Sequence, residues 1–147
     1  MGKVFTHKRR VEFRDTDTAG IVHFSVFFAY MEEAEHEFLR HLGLGVMMEV
    51  DGDHISWPRV AANCNYRNAI RFEDIIEINV AVAKIGTKSV TYDFKVCRGE
   101  TKIADGQVTT VCCKFHHDDR LDKKKMESVE IPKSIADLLS PYVSDQS

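Results

Sequence analysis

One stretch of helical periodicity precedes a long run of period-two alternation, and that order restricts the fold of this 147-residue chain more than any other feature. Phe24, Phe28, Met31, Glu35, Phe38 and Leu42 recur at helical spacing, Phe27 and Leu39 widen the stripe, and Glu32, Glu33, Glu37 and Arg40 lie opposite. Gly43 supplies a stop, so the stretch predicts a helix of about five turns at 3.6 residues per turn. From Trp57 onward the period drops to two. Val60, Ala62, Cys64 and Tyr66 form one strand face; Ile76, Ile78, Val80 and Val82 form a second; Val90, Tyr92, Phe94 and Val96 form a third. Turn signals at Gly86-Thr87-Lys88 and Arg98-Gly99-Glu100 separate these runs, and a last strand covers Lys102 to Phe115.

Strands joined by such short links pair antiparallel. Val4 to Phe13 reads as a first strand, with Val11 and Phe13 alternating against Arg10 and Glu12. Leu44 to Ser56 reads as a connecting loop or a short irregular helix, and His116 to Lys125 as a charged, turn-like stretch. Pro132 opens a short helix ending near Leu139 or Tyr142. A sheet with one apolar face must bury it, and the helix stripe is the available partner. The pattern therefore predicts an α+β fold in a single domain over residues 1–147, an antiparallel sheet wrapped around one long central helix.

Bulk properties narrow the function classes. At 44% apolar and 29% charged residues the chain is an ordered globular protein, and a net charge of -3 offers no broad footprint for nucleic acid. No segment approaches membrane-spanning length, and residues 1–20 hold no apolar leader core. Gly2 to Thr6 fits a loose myristoylation pattern too short to carry weight. Cys64, Cys97, Cys112 and Cys113 lack metal-ligand spacing and read as buried reduced thiols, which suits a cytoplasmic protein. His116-His117-Asp118-Asp119 has donor types for a metal, but four adjacent loop residues rarely converge on one ion, so no metal and no cofactor are assigned.

Chemistry concentrates in Asp15-Thr16-Asp17-Thr18-Ala19-Gly20-Ile21-Val22-His23-Phe24, an acidic loop of small residues directly before the helix. Gly20 opens conformations closed to other residues, and N–H groups near Phe24 and Ser25 have no helical acceptor. A carbonyl oxygen resting there would have its developing charge stabilised, while Asp17 served as nucleophile or activated water. The alternative is that Asp15 or Asp17 only caps a turn or the helix. Ile21, Val22 and Phe27 lie close enough to form an apolar wall.

This segment resembles the 4-hydroxybenzoyl-CoA thioesterase family of hotdog-fold proteins. The likeness runs on through Tyr30-Met31-Glu32-Glu33-Ala34, Arg40-His41-Leu42-Gly43, Tyr66-Arg67-Asn68 and Arg71-Phe72-Glu73-Asp74, covering most of residues 3–115. It implies an acyl-CoA thioesterase in which Asp17 is nucleophile or general base and the Phe24 backbone N–H polarises the thioester carbonyl. CoA is expected only as part of the substrate, near the turn flanked by Lys84 and Lys88. Two subunits are expected to join their sheets edge to edge, with a tetramer built from such dimers. His23 is a further candidate for orienting water or the carboxylate, as Glu32 and Glu35 are for a helix-borne acid. Arg59, Arg67 and Arg71 are cations that could meet phosphate or simply be solvated. In the branch associated with the cell-envelope Tol-Pal system, a Tyr, a His and an Asn recur where this chain has Phe13, Phe24 and Val26. Two rival functions remain: a non-catalytic acyl-CoA binding module on the same fold, and a 3-hydroxyacyl-thioester dehydratase, which would need His23 and an acid to cooperate.

Overall fold

The structure, a computed structural model, describes residues 2–118 and 123–144. Its strands are β1 (Phe5–Arg10), β2 (Met48–Val50), β3 (Asp53–Ser56), β4 (Arg59–Tyr66), β5 (Ile75–Ile85), β6 (Ser89–Arg98), β7 (Thr101–Val111), β8 (Cys113–Asp118) and β9 (Lys123–Ser128); its helices are α1 (Val26–His41) and α2 (Lys133–Leu139). One sheet runs β1-β5-β6-β7-β4 and a second β2-β3-β8-β9, and every strand pair in both is antiparallel. The larger sheet wraps α1, the α+β arrangement expected from the sequence.

Alternation explains the core. Ile78, Val80 and Val82 stand opposite Val96, Phe94 and Tyr92 across β5 and β6, and all six are buried against the helix. From α1 come Phe27, Tyr30, Met31, Ala34, Glu35, Phe38 and Leu39. The buried stripe is therefore centred on Phe27 rather than Phe28, and the helix starts at Val26, leaving Phe24 outside it and 63% exposed. Gly106 on β7 brings helix and sheet together: a methyl group there would collide with the Met31 side chain and the Asn63 carbonyl. At the far end, Gly43 takes a φ of 80°, and N–H groups of Gly43 and Leu44 bond back to the Arg40 and Leu39 carbonyls at 3.0 and 2.8 Å. That closure is the stop read from the sequence.

Four other expectations change. The first strand ends at Arg10; Val11 is buried, but Phe13 sits in a short 3₁₀ turn and is 74% exposed. Leu44 to Ser56 contains the β2–β3 hairpin rather than only a loop. The last long strand breaks at buried Cys112, whose N–H bonds to Lys88, so that Lys102 to Phe115 spans two sheets. Part of His116 to Lys125 is strand, with residues 119–122 and the side chains of 116–118, 123 and 124 outside the described residues. Pro132 does stand at the start of α2, which ends at Leu139 before a 3₁₀ turn to Tyr142. All four cysteines are free; Cys112 and Cys113 are buried, Cys64 and Cys97 half-buried. No helix among the described residues is long and apolar enough to cross a membrane.

Candidate active site

The two acids of the loop have opposite surroundings. Asp15 is buried and fully engaged: one carboxylate oxygen accepts from Arg9 Nη1 at 2.6 Å, the Glu12 N–H at 2.9 Å and the Tyr30 hydroxyl at 2.9 Å. Burial raises its pKa, but these hydrogen bonds and the guanidinium outweigh that and hold the carboxyl below its ordinary value. Arg9 also binds Glu33 at 2.6 Å and lies 4.6 Å from the Tyr30 ring centre. The Asp15 carbonyl takes the His23 N–H at 3.0 Å. Asp15 thus fastens the loop to β1 and α1, the loop-forming role open to it from sequence.

Two residues on, the chain turns back. The Asp17 N–H bonds to the Ile21 carbonyl at 2.9 Å, and Gly20, with a φ of 79°, returns its N–H to the Asp17 carbonyl at 3.0 Å. Only glycine adopts that backbone angle without steric cost. Asp17 Oδ1 accepts the Ala19 N–H at 2.8 Å. Among the described residues Asp17 has no ion-pair partner, and it is a half-buried residue lining a cavity of about 360 Å³.

Ile21, Val22, Phe24 and Phe27 line the same cavity, as the sequence suggested. Of its other wall, Tyr66, Arg67, Asn68, Ala69 and Ile70, the sequence offered only Arg67 as a candidate, and that for phosphate. Long-range contacts put it there: the Val22 N–H bonds to the Ile70 carbonyl at 2.9 Å, the Tyr66 hydroxyl donates to the Phe24 carbonyl at 2.8 Å, and Phe27 packs edge-on against Tyr66. Tyr66-Arg67-Asn68 could have been found as the polar end of a strand, but its partner lies more than forty residues away. The Phe24 N–H has no acceptor among the described residues, and Ser25 behind it stands at the N-cap position of α1 without a side-chain capping bond, at an amino end that carries partial positive charge. Asp17, without an ion-pair partner, and Phe24, whose N–H lacks an acceptor among the described residues, thus line the same largely apolar cavity.

The remaining candidates lie apart. His23 does not line the cavity; its Nδ1 lies 2.7 Å from Ser25 Oγ, and its ring rests on Phe24. Lys84 and Lys88 are exposed at the β5–β6 turn. Arg67 is at the cavity wall, with Nε bound to Asp105 at 2.9 Å, whereas Arg59 pairs with Glu35 at 2.9 Å near the middle of α1. Glu35, an acid in an apolar stripe, is buried. No cluster of three or more His, Cys, Asp or Glu suited to a metal occurs among the described residues.

Known proteins resemble this chain in sequence and fold. The chain is 25% identical over 127 residues to an acyl-CoA thioester hydrolase of Escherichia coli, covering 86% of this chain and 88% of that one. It is 23% identical over 142 residues to 4-hydroxybenzoyl-CoA thioesterase of Pseudomonas sp. strain CBS-3, covering 95% and 100%. Its structure superposes on a gentisyl-coenzyme A thioesterase with a TM-score of 0.77 at 27% identity, covering 92% and 99%. Residues 11–139, from the end of β1 to the end of α2 and so including both walls of the cavity, match the model of one family. The chain is a hotdog-fold enzyme of the thioester-hydrolase type and belongs to the thioesterase-like superfamily.

Proposed function

We propose that this chain hydrolyses acyl-CoA thioesters in the Asp17 cavity. The observation that carries the reading is that one cavity is lined by Asp17, which has no ion-pair partner among the described residues, and by Phe24, whose N–H has no acceptor there, just ahead of α1. The thioester oxygen rests against that N–H and the helix amino end, which stabilise the charge gathering there as the carbonyl carbon becomes tetrahedral. Asp17 acts on the same carbon in one of two ways. As nucleophile it forms a mixed anhydride and expels CoA thiolate, and water then hydrolyses the anhydride. As general base it takes a proton from water, which attacks directly. Both routes end in free acid and CoA, with substrate and water as the only reactants.

Ile21, Val22, Phe27 and Ile70 give the cavity an apolar lining for the carbon chain next to the thioester. His23 is occupied by Ser25 and stands off the cavity wall, which weighs against the dehydratase reading. Asp17→Asn tests the proposal: thiol release from acyl-CoA should fall by about a thousandfold or more, with acyl-CoA still bound. Near-normal turnover in that variant overturns it, and ligand binding without turnover by the unaltered protein assigns a binding module instead. Single-turnover hydrolysis in ¹⁸O-water separates the two routes, because only the anhydride route carries label into the Asp17 carboxyl.

The chain acts as at least a dimer in this reading. Both outer strands of the large sheet are open edges, but β1 reads FTHKRR and is guarded by charge, whereas β4 reads RVAANCNY and leaves Val60 62% exposed. An unguarded edge invites pairing, and a second β4 running antiparallel satisfies it. Sedimentation equilibrium measures the state, and a monomer at micromolar concentration overturns this part.

A further inference from the structure

Along β1 lies a groove of about 490 Å³ walled by two elements. One wall holds four consecutive strand residues, His7, Lys8, Arg9 and Arg10. Side chains alternate between the two faces of a strand, so a groove that touches all four runs along its edge. β5 occupies one edge of β1, and among the described residues no strand pairs with the other. The second wall is Glu33, His36, Glu37 and Arg40, whose spacing of three, four and seven residues marks one face of α1. An unpaired strand edge thus faces a helix, each lining the groove for about 10 Å at the usual rise per residue.

Charge selects what can enter. Glu33 and Glu37 are already neutralised by Arg9 and Arg40. Lys8 stands 3.9 Å from Glu77, and Arg10 and Arg14, which also line the groove, have no ion-pair partner among the described residues. In a chain of net charge -3 this lining sets five Lys and Arg side chains against three Glu. Like charges oppose a second copy of β1 at this edge. A strand rich in carboxylates is its complement.

We infer that the groove takes an acidic segment of a partner protein as an added strand on β1. The segment's main chain pairs with the open edge, and acids at alternate positions stand opposite Lys8 and Arg10, whose side chains are exposed on the outer face of the sheet. The residue between those acids points toward α1, beside half-buried Arg9. Arg14, in the 3₁₀ turn just past the strand, meets a further acid at the end of the segment. The groove shares no lining residue with the Asp17 cavity, so it can be occupied whether or not Asp17 is catalytic. Joining two subunits through β4 leaves this edge open at both ends of the joined sheet.

The probe is the fluorescein-labelled heptapeptide TEVEVET, titrated against the unaltered protein by fluorescence anisotropy in low-salt buffer. Its binding should saturate, and the lysine counterpart TKVKVKT should not bind. Arg10→Glu combined with Arg14→Glu should weaken binding by about tenfold or more, with the melting temperature unchanged. N-methylation, read on the unaltered protein, separates strand addition from charge attraction. Methylating alternate amides along one edge of the peptide should abolish binding and along the other edge should leave it, because only one edge faces β1. Equal effects of the two methylation patterns overturn strand addition. Absence of saturable binding by TEVEVET overturns the groove as a peptide site, as does binding that survives the double charge reversal. Inorganic tripolyphosphate binding through the same two arginines more tightly than the peptide assigns the groove to a phosphate anion and overturns it likewise.

Discussion

The hydroxyl of Tyr66 donates to the carbonyl oxygen of Phe24 across 2.8 Å, tying the end of the open edge strand to the peptide that precedes α1. The adjoining peptide carries the Phe24 N–H that we assign to the thioester oxygen. A donor of this kind is effective only when its direction is fixed before the reaction. Tyr66→Phe should therefore lower kcat several-fold, with KM changed by less than about twofold and the melting temperature nearly unchanged. Steady-state thiol-release kinetics on one acyl-CoA decide it; a change confined to KM would assign Tyr66 to binding alone.

Asp15 should matter to stability before chemistry. Replacing it with Ala leaves Arg9 half-stripped of its partners in a buried setting and frees the Glu12 N–H and Tyr30 hydroxyl. Removing one member of a buried ion pair costs about 3–5 kcal/mol, so urea unfolding should show a loss on the order of 3 kcal/mol. The pH dependence has a definite sign. The folded carboxyl titrates below its ordinary 3.8, so its contribution is complete above that value and fades as pH falls through the lower folded one. Acid unfolding of the variant should be shallower than that of the unaltered chain.

Glu35 should do the reverse. Burial pushes its carboxyl from 4.5 up to about 7, with Arg59 opposing the rise. Below 4.5 folded and unfolded forms are both protonated and its contribution is complete; between 4.5 and about 7 only the unfolded form ionises, and stability drains away. Across that window the unaltered protein should lose on the order of 3 kcal/mol relative to Glu35→Gln. Parallel urea titrations at pH 4.5 and 7.5 measure the difference, and superimposable profiles would place the carboxyl at an ordinary pKa.

Gly106→Ala tests the contact between helix and sheet. The added methyl meets the Met31 side chain, which can move, and the Asn63 carbonyl of β4, which is held in the sheet. Overpacking of this kind costs typically about 1–3 kcal/mol, and because Asn63 lies in β4, the variant should also weaken self-association. Thermal melts and sedimentation equilibrium read the two effects separately.

Much of the architecture was visible along the chain because period-two alternation survives in strands with one buried face. Ile76 to Val82 and Val90 to Val96 were legible for that reason, and so was the single central helix. The phase of the helix was not: Phe24 and Phe28 fit the spacing as well as Phe27 does, and only docking against the sheet selects Phe27. The β2–β3 hairpin escaped notice because its strands hold three and four residues, too few for a period to declare itself. In the site, Asp17, Phe24 and the Ile21–Val22 wall could be read from adjacency in sequence. The Tyr66–Ile70 wall could not, since register and loop closure bring it there. Glu35 did carry a visible signal, a carboxylate at a core position, but its counterpart Arg59 is set by a strand that nothing local links to the helix.

The separation of labour between Asp15 and Asp17 has an evolutionary consequence. The residue that secures the loop and the residue we assign to the substrate are two positions apart in sequence, yet among the described residues they share no hydrogen-bond partner. Mutation can therefore explore the lining around Asp17, trading one acyl preference for another, without drawing on the contacts that keep the framework assembled. A scaffold wired in this way can diversify its substrates while its architecture stands still.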